Sequence, residues 1–358
     1  MRILVLYDGK AGHLSQSLGV AQLIRSRLNS PVTIEQQVAK IRLKFLNRFI
    51  RKLALIPSSM LQRLVIHSYR WKIPEQKPDL IISFGGNVIA LNVALAKLWK
   101  CNNVVIGNLY SINLKHIDAH ITVFGDTAEA KAIASCVALC KVDPQVCAEK
   151  GNELRKQLPY SEYWAMLVGG NGAGYQYQAS DWHRLGSSMN FLSKRYGIKW
   201  ILTTSRRSGL EAEQILQQYL EPSVCAKSYL ASQPESGSLE AILGSCDKLF
   251  CTEDSLSMLT ESVSVEKPVT TLLPKQTSPK RVHSNTVKYM ASTGLIKRVN
   301  IENLNEFMPQ SYQPEKSYSE HLEDIYTQLI SLLSQLDKEC TDSVSINPGQ
   351  PLLSIKGS

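Results

Sequence analysis

The sequence has no uninterrupted apolar run of about 18 to 20 residues, which excludes an ordinary membrane-spanning helix. None of its eight cysteines forms a Cys-x-x-Cys pair, so neither a zinc ribbon nor a thioredoxin-like redox motif is indicated. Cys136 and Cys140, four positions apart, read as packing on one helix face rather than as a disulfide or metal site. Also missing are the phosphate-loop spacing GxxxxGK[ST], the dinucleotide spacing GxGxxG and any Asp-x-Asp motif. Scattered cysteines suit a reducing compartment. A charged loop carrying Asp8, Lys10 and His13 directly after the first apolar residues does not suit a secretory signal. A cytoplasmic protein is expected, able to sit peripherally on the inner face of a membrane.

The chain is long enough, at 358 residues, for two domains that each bury a core. With 44% hydrophobic and 20% charged residues it reads as a soluble globular protein. The net charge of +9 is no nucleic-acid signature by itself, and no nucleic-acid partner is expected. Its distribution says more, because residues 40–72 contain nine Lys or Arg and no acid, with Phe45, Phe49, Ile50, Leu53 and Ile56 at helical spacings. Such a segment can lie on an anionic membrane surface. Equally, it can be a core helix with a solvated basic face.

Short apolar runs alternate with helical patterns along the chain. RILVLY (2–7), DLIISF (79–84), NVVIG (103–107) and AHITVF (119–124) read as strands, with helical patterns at 16–28 and 87–99. The alternation restarts with WAMLVGG (164–170), IKWILTTS (198–205), KLFCTE (248–253) and PVTTLL (268–273). Helical patterns lie near 180–195, 208–219, 238–244 and 255–265. Strands separated by helices predict α/β domains with parallel sheets covered on both faces. The boundaries expected are 1–155 for a first domain, 160–312 for a second, 317–337 for a terminal helix and 338–358 for a polar, disordered tail.

In open parallel sheets, ligands bind beyond the carboxyl ends of the strands. After the first strand, DGKAGHLSQS carries Gly9 and Gly12, which permit a tight turn and close approach of a ligand, and His13, either a general base or a residue that holds the loop. The loop GGNGAG (169–174), with Gly170 and Asn171, marks another close backbone approach. In TTSRRSG (203–209), Arg206 and Arg207 beside Ser205 can grip a diphosphate; the alternative is a pair of exposed arginines at a helix start, with Ser208 only an N-cap. In CTEDSLSMLTES (251–262), Asp254 or Ser255 is the expected N-cap, and free backbone amides with the hydroxyls of Ser255 and Ser257 form an anion site. Glu253 or Asp254 caps the helix or accepts from sugar hydroxyls. Glu261, about two turns on at ~1.5 Å per residue, can reach a ribose.

DGKAGHLSQSLG, TTSRRSG and TEDSLSMLTESVSVEKPV, in that order, resemble the elongated-mitochondria (mitochondrial fission Elm) family over roughly residues 1–300. That family takes in plant mitochondrial-fission factors and many bacterial proteins described as glycosyltransferases. The resemblance implies a GT-B-like architecture, two Rossmann-like domains facing across a cleft with a C-terminal helix crossing back. It implies a nucleotide-sugar donor on the second domain, held by Gly170, Asn171, Ser205, Arg206, Arg207, Glu253, Asp254, Ser255, Ser257 and Glu261. Glu253 and Glu261 are also similar to the E-x7-E pair of retaining GT-B enzymes. The acceptor side falls to Gly9, Lys10, Gly12, Gly85, Gly86 and Asn87, with His13 or Asp8 contacting or activating the acceptor hydroxyl. Where the family often carries basic residues after the DLIISF strand, this chain has Gly85, Gly86 and Asn87. No cofactor and no catalytic metal are expected, leaving-group charge falling to helix ends and cations.

The leading expectation is therefore a glycosyltransferase acting on a membrane-associated glycan or glycolipid acceptor of the cell-envelope polysaccharide or lipopolysaccharide type. The alternatives are a non-catalytic protein that recruits a partner to a membrane, and a nucleotide-sugar epimerase.

Overall fold

The computed structural model describes residues 1–123, 131–233, 237–309 and 311–342, the last nine of these by backbone path alone. In chain order the first part contains β1 (Arg2–Tyr7), α1 (Ala11–Arg27), β2 (Thr33–Val38), β3 (Lys40–Ile41), α2 (Asn47–Leu55) and α3 (Ser59–His67). It continues with β4 (Tyr69–Arg70), β5 (Leu80–Phe84), α4 (Ile89–Trp99), β6 (Asn102–Ile106), β7 (Ala119–Val123) and β8 (Ala132–Ser135). The connecting helix α5 (Pro144–Lys156) leads into β9 (Tyr163–Val168), β10 (Tyr175–Gln176), α6 (Ala179–Tyr196), β11 (Lys199–Thr204), α7 (Gly209–Tyr219) and β12 (Cys225–Tyr229). Then come α8 (Leu239–Ser245), β13 (Lys248–Thr252), α9 (Leu256–Val263), β14 (Val269–Leu273), β15 (Gln276–Thr277), α10 (Arg281–Ser292), β16 (Lys297–Asn300) and α11 (Tyr318–Asp342).

Two six-stranded sheets carry the molecule, in the orders β2-β1-β5-β6-β7-β8 and β12-β11-β9-β13-β14-β16. Every pairing within them is parallel. Parallel strands need helical crossovers, and the crossovers bury both sheet faces, so the central strands are apolar almost throughout. In β1, Leu4 and Leu6 face the core under α2, α3 and α4, while Ile3 and Val5 face the core under α1. In the second sheet, Trp164 stacks with Phe250 at a centroid distance of 5.4 Å on one face of β9, while Ala165 and Leu167 face the core under α8 and α9.

Of the eight strands absent from the sequence expectation, four, β2, β8, β12 and β16, are the edges of the two six-stranded sheets, and the other four form the two-stranded pairs β3-β4 and β10-β15. An edge strand has one neighbour and partial cover, so TIEQQV and KRVN keep polar residues that a central strand could not bury. The expected strand 164–170 ends at Val168 because the chain turns at Gly169. Residue 124, the expected end of another, lies outside the described residues.

The domain boundary also moves. Val137, Cys140 and Val142, with Cys147 and Leu154 of α5, belong to the core of the second domain. The expected limit at 155 thus gives way to one near 140, just after Leu139 of the first domain's core, since α5 packs on α8 with Gly151 and Gly244 in backbone contact. The terminal helix runs to Asp342, past the expected 337, and of the expected tail residues 343–358 lie outside the described residues. Ile325, Leu329 and Leu333 of α11 sit in the first domain's core beside α1. At roughly 2 kcal/mol per fully buried aliphatic side chain, this anchors the helix firmly to the domain it returns to.

Candidate active site

Both sheets reverse their strand order once, between β1 and β5 in the first and between β9 and β13 in the second. At such a switch point the connections depart to opposite faces and leave a crevice beyond the carboxyl ends. The loops after β1, β5, β9 and β13 are the ones the sequence marks as rich in Gly, acids and amides.

On the first domain, Asp8 follows β1 and its side chain is 5% exposed. Its Oδ1 lies 2.8 Å from His13 Nδ1, and its Oδ2 accepts from Asn87 Nδ2 at 2.9 Å. Burial pushes the Asp8 carboxyl up. The Asn87 hydrogen bond, the His13 ring and the Lys10 amide outweigh it, and the group stays below the usual carboxylate range. An ionised Asp8 can only accept, so it selects a proton on His13 Nδ1, which in the neutral ring leaves the lone pair on Nε2. The His13 ring packs on Phe84 at 4.4 Å between centroids. Gly85 makes room for it: at φ +94° a Cβ there would stand 3.0 Å from His13 Cε1. The ordinary Cβ-bearing residue is thus excluded twice, by conformation and by space.

The loop after β5 is braced from two directions that the sequence does not announce. Asn47 of α2 donates through Nδ2 to Asn87 Oδ1 at 3.1 Å. Tyr110, at φ +56°, presses its ring on Gly86 and carries the Arg51 guanidinium 4.7 Å above its centroid. A left-handed tyrosine holds strain, and such strain concentrates at functional loops.

On the second domain the loops after β9, β11 and β13 interlock. Gly169 donates to Thr252 Oγ1 at 2.6 Å and Gly170 to Asp254 Oδ1 at 3.2 Å. Ser205 and Ser208 donate to the carbonyls of Gly169 and Val168 at 2.8 and 2.9 Å. A Cβ on Gly170 would stand 2.0 Å from the Arg207 carbonyl, so only glycine allows the two loops to meet. Asn171 spends its side-chain oxygen on the Tyr177 amide at 2.7 Å.

The sequence-expected residues separate here. Arg206 is exposed and has no carboxylate within ion-pair distance among the described residues. Arg207 Nη2 lies 2.8 Å from Asp254 Oδ2 without the alignment of a hydrogen bond, its side chain half exposed. Asp254 is buried, which raises its carboxyl above the usual range despite the help of Thr252, Gly170 and Arg207. It holds Gly170 by a hydrogen bond and pairs with Arg207. Ser255 is the N-cap of α9, accepting from the Met258 amide at 3.5 Å. Ser257, in the first turn, stands 3.2 Å from where a Cβ on Gly12 would lie, so the starts of α1 and α9 come together across the domains.

Glu253 is a correction. The residue is wholly buried and accepts from Arg298 Nε and Nη2 at 2.8 and 2.6 Å, from Tyr175 Oη at 2.7 Å and from Thr271 Oγ1 at 3.0 Å. With both carboxylate oxygens taken, it cannot address a donor sugar, and the E-x7-E reading loses its first member. Glu261 instead faces the first domain, its Oε1 accepting from Ser15 Oγ at 3.4 Å. Burial raises its carboxyl above the usual range, and Lys141 and Ser15 offset this only in part. The sequence reading missed Arg298, Tyr175 and His283, whose Nε2 lies 2.8 Å from the Glu253 carbonyl. A basic residue on an otherwise unremarkable edge strand was the one available signal.

Between the domains, a cavity of about 380 Å³ is lined by Phe84, Ile106, Leu256, Ser257, Thr260 and Val282. A larger one, about 650 Å³, opens among Lys248, Thr270 and Lys297 at the amino ends of β13, β14 and β16. Size alone therefore does not locate the site; the strand ends do. Among the described residues no group of three or more His, Cys, Asp or Glu could hold a metal ion.

Two parallel α/β domains meeting at their strand ends, tied by a helix that returns to the first, define the GT-B architecture common to glycosyltransferases and nucleotide-sugar epimerases. The chain belongs to the mitochondrial fission ELM1 family, whose model matches residues 11–325. In fold it is similar to the UDP-GlcNAc 2-epimerase from Methanocaldococcus jannaschii, at 12% identity and a TM-score of 0.52, over 92% of this chain and 100% of that one. The ADP-heptose lipopolysaccharide heptosyltransferase II of E. coli matches at 10% identity and a TM-score of 0.48, over 94% of this chain and 100% of that one. The UDP-GlcNAc 2-epimerase of Neisseria meningitidis matches at 14% identity and a TM-score of 0.47, over 94% and 100%. No curated protein matches the sequence.

Proposed function

We propose that this protein is a glycosyltransferase that moves a sugar from a nucleotide-sugar donor to a hydroxyl of a membrane-associated glycan or glycolipid acceptor. The observation that carries the reading is the Asp8–His13 pair, 2.8 Å apart at one switch point, with Ser257 of α9, at the other, 3.2 Å from where a Cβ on Gly12 would lie. His13 Nε2 takes the proton of the acceptor hydroxyl while Asp8 holds the ring and balances the imidazolium. The freed oxygen bonds to the anomeric carbon as the carbon–oxygen bond to the diphosphate breaks, and that electron pair leaves on the phosphate. Arg206, Arg207 and the free amides at the start of α9 receive the charge. Glu253 and Asp254 act beneath them by fixing loop positions.

The test combines donor binding with turnover. One nucleotide family should stabilise the purified protein in a thermal-shift screen, since a ligand that binds only the folded state raises apparent stability. Arg206→Ala/Arg207→Ala should lose that shift. His13→Ala should keep it and lose transfer. Absence of a shift with any nucleotide at millimolar concentration, or conversion of a nucleotide sugar with no acceptor present, would overturn the reading.

A further inference from the structure

The basic segment 40–72 acquires a definite shape in the fold. Helices α2 and α3 pack side by side on α4, with Ile50, Ala54, Val65 and Ile66 inward. Outward stand Phe45, in the short turn just before α2, and Met60 of α3, each 80% exposed, with Phe49 of α2 at 57% and Leu64 of α3 at 56%. A solvated basic face needs no aromatic or aliphatic side chains, so the reading of this segment as an ordinary core helix pair leaves these four unexplained. Arg48, Lys52 and Arg63 are exposed on the same two helices, and no acid occurs between residues 40 and 72. Apolar side chains interleaved with unopposed cations match the interface of an anionic bilayer.

Next to this ridge lies a cavity of about 390 Å³ with Lys10, Lys40, Arg42, Lys44 and Arg70 on its walls. Asp8 and Asn87 also line it. Lys40, Arg42, Lys44 and Arg70 have no carboxylate within ion-pair distance among the described residues, so they present net positive charge to whatever enters. The ridge is joined to the site by side chains: Asn47 of α2 bonds to Asn87, and Asn87 to Asp8 at 2.9 Å.

We propose that the α2–α3 ridge and this basic cavity form one docking site for an anionic membrane, the ridge entering the interface and the cavity taking the anionic headgroup of a lipid-borne acceptor beside His13. The proposal rests on the reading of Asp8 and His13 as the acceptor base. A free phosphate would satisfy the cations but would leave Phe45, Phe49, Met60 and Leu64 in water. A bilayer satisfies both, and it delivers the acceptor hydroxyl from the side on which Asn47 braces the loop.

The full-length protein is sedimented with phosphatidylcholine vesicles, with and without phosphatidylglycerol. Binding to the anionic vesicles should be at least tenfold tighter, and excess soluble glycerol phosphate should not release it. Phe45→Ser/Phe49→Ser/Met60→Ser should weaken it at least tenfold. Lys40→Gln/Lys44→Gln/Arg70→Gln should weaken it about a hundredfold, at about fivefold per cation near a charged surface. Since all six positions are exposed, both variants should melt like the parent. Equal binding to neutral and anionic vesicles, no binding to either, or a ridge variant that binds as the parent does would overturn the proposal. A nucleotide thermal shift run on the ridge variant separates the two readings. Vesicle binding without any nucleotide shift defeats the transferase reading alone, and a nucleotide shift without vesicle binding defeats the docking site alone.

Discussion

Ser15 of α1 and Glu261 of α9 meet across the two domains, Oγ to Oε1 at 3.4 Å, so a carboxylate on a second-domain helix is held by a first-domain helix. Its carboxyl is raised by burial. An acid whose folded-state value is raised favours the folded state in its protonated form. That stability is full below the ordinary glutamate range and is lost as pH climbs through the raised value. Glu261→Gln should therefore gain stability relative to the parent as pH rises from about 4 toward neutrality, in the window that begins at the ordinary glutamate value. Thermal unfolding of both proteins across that range checks it, and a pH-independent difference would show that the carboxyl does not titrate there.

Asp8→Asn removes the charge beside His13 and leaves one acceptor oxygen for two donors, His13 Nδ1 and Asn87 Nδ2, while keeping the shape of the loop. Loss of general-base assistance costs about 10²- to 10⁴-fold in turnover. Nucleotide binding should be unchanged, because among the described residues the polar partners of Asp8 are Lys10, His13 and Asn87, all on the first domain. A variant with full turnover would remove the dyad from the chemistry.

Glu253→Ala should behave in the opposite way. It leaves the Arg298 guanidinium, the Tyr175 hydroxyl and the Thr271 hydroxyl without their shared acceptor. Removing one partner of a buried pair costs about 3 to 5 kcal/mol, and the 35% exposure of the Arg298 side chain places the expectation at the lower end, about 3 kcal/mol. Denaturant unfolding measures this. A stable Glu253→Ala protein that lost only donor affinity would restore Glu253 to the ligand.

Gly85→Ala introduces both backbone strain at φ +94° and a contact with His13, whereas Gly197→Ala at φ +67° has no atom within 4 Å of the new Cβ. Both should lose roughly 1 to 2 kcal/mol of stability from the left-handed backbone. Only Gly85→Ala should also lose turnover, because the imidazole must shift. Equal activity of the two would mean that His13 does not need its present position.

The eight central strands were legible because a strand covered on both faces has to be apolar along its length, as RILVLY and WAMLVG are. The edge strands were not, since TIEQQV owes its conformation to Tyr7, Leu6 and their neighbours in β1 rather than to its own burial. The loops of the site were legible for a related reason. Gly, Asn, Asp and Ser end a buried strand, and in a parallel sheet those ends share one side.

Which side chain meets which was decided only in three dimensions. Glu253 looked like a ligand residue because the chain places it at a strand end; Arg298, 45 residues away on an edge strand, takes it instead. Asp8 gains its role from Asn87, 79 residues on, because the sheet order puts β5 beside β1. Phe45 and Phe49 share the helical spacing of core residues, yet the ridge they form is turned outward because Ile50 and Ala54 already fill the contact with α4. Periodicity records whether a residue will be covered, and so determines strands, helices and domains. The identity of the covering group depends on sheet order and on which faces remain free, and those are properties of the assembled fold.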